Sequence, residues 1–268
     1  IQGAQARRDP FYWIISGNLS INIGQHLYLP FSATFSKQNS NYTRPQPFNQ
    51  FGLSPKYKFL TFHLGYRNIN LSEFTLAGNI FLGGGVEINH KEFPIKLIVL
   101  GGRFAKAYNR KDTNNLLGNY PSYERWGFGT KLWFEKDNKS LAFILFKATD
   151  NNSSVPDSLA SALGLKPAEN LVLGTTAKYP ILKNLVFNGE YAVSSFNPDN
   201  RLPEKRLDDY TYANNFGSLF TPRANTQFNS AFTGNLELTL KIARLTASYR
   251  RIGPDYKTLG STFLNNDF

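Results

Sequence analysis

The chain has 268 residues, a formal charge of +11 and a mean hydropathy of −0.36. No run approaches the roughly 18 apolar residues of a helical membrane span, and the absence of cysteine excludes thiolate metal sites and thiol catalysis. Aromatic residues make up 15% of the chain, and the basic residues are scattered rather than gathered in a nucleic-acid motif, so nucleic acid is not expected as a partner.

The first element already alternates with period two. Trp13, Ile15, Gly17, Leu19, Ile21 and Ile23 interleave with Ser16, Asn18, Ser20 and Asn22. In the second, Leu27, Leu29, Phe31, Ala33 and Phe35 interleave with Tyr28, Ser32, Thr34 and Ser36. Successive side chains of a strand point to opposite faces, so each stretch has one apolar and one polar face. The reading continues with strands near 57–67, 79–89, 94–105, 123–135, 140–149, 170–179, 184–195, 227–241 and 244–252, about eleven with the first two at 11–23 and 26–36. Ten-residue dyad segments separated by turns are the signature of an all-β, antiparallel transmembrane outer-membrane β-barrel.

Connection lengths carry a second signal. Short turns fall at 90–92, 136–139, 180–183 and 242–243, and long loops at about 106–122, 150–169 and 196–226. Outer-membrane barrels have short periplasmic turns and long outside loops. The alternation breaks early, where both 37–56 and 68–78 are long. Either 37–56 lies on the periplasmic side, or part of it packs in the lumen. Eleven strands is odd, whereas single-chain bacterial barrels have even counts. Either one strand is miscounted, or residues outside this chain complete the barrel. With a start at Ile1 and an end in the loop-like Asn266-Asp267-Phe268, the expectation is one barrel region over 1–268 that is an incomplete part of a larger barrel.

Gly83-Gly84-Gly85 lies mid-strand with no helix after it, and reads as a bend or a close approach of another segment. His26, His63 and His90 are scattered and have no metal spacing, though His63 on a polar face is the one candidate base for a Ser-His-acid site. The polar faces place Arg67, Glu87, Arg125, Lys131, Lys178, Glu190, Glu237, Lys241 and Arg250 as candidate lumen lining; Glu135 sits with them. Mixed signs suit a salt-bridged inner wall, and a mildly cationic pore lining is the functional reading. Loop 196–226 carries Asn197, Asp199, Asn200, Asp208 and Asp209 without calcium-loop spacing, and reads as solvated. Its aromatic half, from Tyr210-Thr211-Tyr212 to Leu219-Phe220, is expected to fold against the barrel mouth or a partner. A short helical turn is expected within 154–167, with Asp157 as cap.

Several stretches together resemble a family of large outer-membrane barrel proteins of the Bacteroidota, generally without an assigned function. They are Gln46–Pro55, His63-Leu64-Gly65-Tyr66-Arg67, Thr75-Leu76-Ala77-Gly78, Phe81–Glu87, Pro167–Leu173 and Asp255–Gly260 with Asn265-Asn266-Asp267. The resemblance spans nearly the whole chain and implies a longer protein with further strands. It supplies no catalytic, cofactor-binding or metal-binding residue.

The first functional expectation is a non-enzymatic component of a larger outer-membrane assembly for secretion, protein insertion or surface display. The alternative is a pore or transporter for small solutes; the third reading is a barrel hydrolase. No cofactor or metal is expected. The partners would be outer-membrane lipid, lipopolysaccharide and other outer-membrane or surface proteins, in the cell outer membrane of a Gram-negative bacterium.

Overall fold

A computed structural model describes residues 11, 13–24, 26–36, 49–90, 92–108, 121–206, 208 and 214–261. Gln46-Pro47-Phe48, Tyr210-Thr211-Tyr212 and Asn265-Asn266-Asp267 lie outside the described residues.

One antiparallel sheet forms the wall. Its strands are β1 (Ile14–Ile23), β2 (Leu27–Ser36), β3 (Gln50–Leu53), β4 (Lys56–Tyr57), β5 (Leu60–Asn68), β7 (Ile80–Ile88), β8 (Ile95–Ala105), β9 (Arg125–Lys136), β10 (Lys139–Asp150), β11 (Glu169–Leu182), β12 (Leu185–Asn197), β13 (Gln227–Thr239) and β14 (Arg244–Ile252). The order follows the chain from β1 at one edge to β14 at the other. β6 (Leu76–Ala77) and β15 (Gly260–Ser261) form a separate parallel pair.

β3 and β4 both pair with β2 on one side and β5 on the other, so they are a single wall strand interrupted at Ser54-Pro55. This corrects the expected eleven strands. The missing one lies inside 37–56, and the wall path has twelve positions, an even number. It also removes the early break in alternation. Short turns 24–26, 58–59, 89–94, 137–138, 183–184 and 240–243 share one end of the sheet. The strand ends joined by 37–49, 69–79, 106–124, 151–168 and 198–226 share the other, which is the outside end by the length rule.

The registers sort the side chains into two faces. Val99, Phe128, Phe143, Leu173, Tyr191, Leu236, Leu245 and Tyr249 form an exposed apolar outer face. Ser16, Asn18, Ser32, His63, Lys131, Glu190 and Asn235 lie on the opposite, inner face. An apolar outer band around a partly polar interior is the arrangement of a transmembrane β-barrel wall, stabilised by lipid contact outside and by ladder hydrogen bonds within.

The glycine run is a close approach, as read from sequence. Gly83 faces Gly102 across β7 and β8, and a Cβ at Gly83 would sit 2.1 Å from the Gly101 carbonyl oxygen. The helix α1 (Asp157–Ala162) is present, but its N-cap is Pro156, which makes no side-chain cap bond, and Asp157 occupies the first turn. Loop 196–226 is not solvated at its start. Asn197, Asp199 and Asn200 are buried, and Asn197 Nδ2 donates to Glu169 Oε2 at 3.1 Å and to the Thr221 carbonyl at 2.9 Å. Those bonds draw Thr221 and the buried Phe220 back onto the protein's own wall.

Candidate functional site: the luminal face

The inner face is not polar throughout. Ile98, Leu100, Phe104, Ile144, Phe146 and Ala148 of β8 and β10 point inward and form a buried cluster with Phe81, Leu71 and Leu76. Val172, Ala192, Ala231 and Ile252 form a second cluster with Phe74 and Tyr256. Leu71, Phe74 and Leu76 come from the connection 69–79, which starts at the outside end and turns into the barrel. The loop read from sequence as simply long is thus an inturned loop packed on both sides of the concave wall. The sequence does carry a signal for it: Leu141–Phe146 is six consecutive apolar residues, so β10 must bury both of its faces.

Wall glycines make the room. A Cβ at Gly129 would sit 2.7 Å from Leu71 Cδ1, and one at Gly174 would sit 2.8 Å from Thr75 Cγ2. The loop therefore rests directly on the backbone of β9 and β11.

Charged wall residues then fasten it. Glu190 of β12, mostly buried, accepts the backbone N–H of Phe74 at 2.8 Å and of Glu73 at 3.2 Å. Lys131 of β9 donates to the Leu71 carbonyl at 2.7 Å. Arg250 of β14 pairs with the Glu73 carboxylate and places its guanidinium 5.4 Å from the Phe74 ring centre. Charge-assisted hydrogen bonds are the stronger kind, so three strands hold one loop, with Glu190 buried and the Arg250–Glu73 pair half-exposed.

A second segment, 253–261, closes over the first. Tyr256 Oη donates to the Phe74 carbonyl at 2.7 Å and Thr258 Oγ1 to the Thr75 carbonyl at 2.6 Å. β15 adds its parallel pairing to β6. Asn170 of β11 accepts the Leu259 N–H at 3.0 Å and donates to Ser194 Oγ at 2.8 Å. Phe81, Thr75, Asn170, Val172 and Tyr256–Gly260 meet at this inturned assembly.

The remaining candidate lining residues are dispersed. Arg125 forms a two-point ion pair with Asp150, at 2.8 and 3.1 Å, near the outside end. Lys178 is exposed on β11, and Glu237 pairs with Arg244 at 3.1 Å near the short turns. Lys241 is not on a strand at all: β13 ends at Thr239, and Lys241 belongs to the turn that follows. Arg67 and Glu87 lie on the neighbouring strands β5 and β7, where Arg67 faces Phe81 in the register. There Arg67 donates to the Leu53 carbonyl at 3.3 Å and to Ser32 Oγ at 3.0 Å. Next to it, His63 Nδ1 is 3.0 Å from Ser54 Oγ, and its Nε2 is 3.8 Å from Glu87 Oε2. Ser54 escaped the sequence reading because it lies in the strand that was missed.

No family model matches the chain, and no curated protein matches it. Among solved structures, Pseudomonas aeruginosa OccK2 (OpdF), in complex with glucuronate, is similar over 91% of this chain and 88% of that chain. The identity is 10% and the TM-score 0.26, a likeness too loose for anything that protein binds to transfer to this one.

Proposed function

We propose that this barrel passes small hydrophilic solutes across the outer membrane of a Gram-negative bacterium, with the inturned loop 69–79 setting the bore. The observation that carries the reading is that loop, seated in the lumen by Glu190, Lys131 and Arg250. A wall built only as a rigid anchor for other proteins has no need of a constriction fastened by charges from three strands. Toward the short turns the inner face carries Thr176, Lys178, Asn188, Asn235, Glu237 and Ser248, a mixed polar lining that suits hydrated solutes of either charge.

The assembly reading, put first from sequence, drew on the long aromatic loop. In the described part of that loop Phe220 is buried and Thr221 is bonded to Asn197, which leaves less of its aromatic surface for a partner. Outer-membrane lipid and lipopolysaccharide are the surroundings this reading gives the outer face.

The test is uptake into liposomes containing the purified full chain, read by swelling with neutral sugars and amino acids of graded size. The reading expects uptake of the smallest solutes and a sharp size limit. Liposomes as tight as protein-free ones would reject it, and co-purification of a stoichiometric protein partner would then restore the assembly reading.

A further inference from the structure

Ser54, His63 and Glu87 lie in one row on the luminal face, and solute passage uses none of them as a set. His63 on β5 faces Gly85 on β7, and Thr61, two residues earlier, faces Glu87. The imidazole thus lies between Ser54 Oγ, at 3.0 Å from Nδ1, and the Glu87 carboxylate, at 3.8 Å from Nε2. Ser54 itself is pinned: its N–H donates to the Pro30 carbonyl at 3.0 Å, and the Pro55 carbonyl accepts the Phe62 N–H at 2.9 Å. A strand interruption that aims one hydroxyl at an imidazole is the kind of irregularity that re-directs a side chain near functional sites.

The order of the groups is chemically apt. Ser54 lines a luminal cleft of about 410 Å3 with Asn18, Ser20, Tyr28, Ser32 and Arg67. His63 is behind the hydroxyl and Glu87 behind His63. Arg67 also lines the cleft, and its Nη2 makes no hydrogen bond. Gly52 gives that side chain its room, since a Cβ there would sit 2.8 Å from Arg67 Cζ.

We infer that Ser54 is an activated nucleophile, with His63 as its base and Glu87 as the carboxylate that orients and balances the imidazolium, acting on a carboxylic ester small enough to enter the luminal cleft. This goes beyond the sequence reading, in which His63 was the one candidate base and no serine or carboxylate was paired with it. In the reaction, Ser54 Oγ bonds to the ester carbonyl carbon as its proton passes to His63 Nδ1. The developing oxyanion is drawn to the Arg67 guanidinium. The ester C–O bond breaks, and the leaving alcohol takes the proton from Nδ1. Water then attacks the acyl carbon, gives its proton to Nδ1, and Ser54 Oγ leaves with that proton restored. His63 Nε2 makes no hydrogen bond at rest, and the Glu87 carboxylate 3.8 Å away comes within ion-pair reach once the imidazole is protonated; catalytic contacts of this sort commonly tighten once charge forms on the base.

The test uses the folded full chain in detergent and in liposomes, with an ethoxy-fluorophosphonate reporter and p-nitrophenyl acetate as probes. Folding is checked independently by the heat-dependent gel mobility of the barrel. The inference expects one adduct, mapped by peptide mass spectrometry to Ser54 of the unaltered protein and absent from Ser54→Ala. His63→Ala should slow labelling about 100-fold or more, since a positioned general base contributes at least that much. Glu87→Gln should slow it less, with Glu87→Asp recovering part of the rate; a purely structural serine–histidine contact would move none of these rates. An unlabelled Ser54 in folded wild-type barrel would overturn the inference, as would labelling at the wild-type rate in folded His63→Ala. Neither readout depends on whether the barrel conducts.

Discussion

Glu190 shows what a single luminal side chain contributes. Its carboxylate accepts two backbone N–H groups from a loop 116 and 117 residues away in sequence. Replacing it with Gln removes the charge and leaves one of those buried donors poorly matched, at a cost of about 1.5–3 kcal/mol, the range for hydrogen bonds to charged groups. Urea unfolding from liposomes should register that loss. The outer face gives a second test. Leu236 is exposed outward and Asn235 lies inward, so Leu236→Arg should cost about 2–4 kcal/mol near the membrane midplane while Asn235→Arg costs little. Equal costs would contradict the assignment of faces. Outside the membrane, the Arg201 guanidinium beside Asp199 holds its carboxyl below the usual carboxylate range. A depressed folded value means the contact supports the loop above the ordinary carboxylate pKa and is lost as pH falls through the lower, folded one. Limited proteolysis of loop 198–206 should therefore stay slow down to mildly acidic pH and quicken below it. At this scale the alternation in sequence was enough to put Arg67, Glu87, Lys131, Glu190 and Arg250 on one face. It could not pair Glu190 with Phe74 or Ser54 with His63, because those partners meet only through the register of strands distant in the chain.

Among the elements, loop 69–79 departs furthest from what its sequence suggests. It is long enough to pass for an ordinary outside loop, and nothing local marks it as inturned. The information lies in its neighbours: the small residues Gly129 and Gly174 opposite it, and the unbroken apolar run Leu141–Phe146 beneath it. Gly174→Val tests this. The larger β-branched residue suits a strand, yet its side chain must occupy the space of Thr75, so the wall should persist while the loop is displaced. Protease sensitivity between Asn70 and Gly78 should rise with heat-dependent mobility unchanged; a loop equally protected in the variant would contradict the packing described. The strand 50–57 was illegible for a different reason. Gly52 and Ser54-Pro55 remove side-chain pattern and a backbone donor from a strand only eight residues long, so the dyad rhythm never develops there.

For the whole molecule, the alternation of short and long connections becomes regular once 50–57 is a wall strand, and the inturned loop shares the outside end with the other long connections. The fold class was readable because lipid on one side and a wet lumen on the other impose the two-residue period on most strands. The filled part of the lumen was not, because residues such as Ile98, Ile144 and Val172 are apolar on a face the pattern expects to be polar. The proposed function requires that loop 69–79 narrow a conducting barrel. The most direct measurement is single-channel conductance in planar bilayers for the full chain beside a variant in which residues 71–76 are replaced by a Gly-Ser linker of equal length. Small, well-defined steps are expected for the unaltered protein and steps several-fold larger for the variant. Identical conductance in the two, or none in either, would contradict that function.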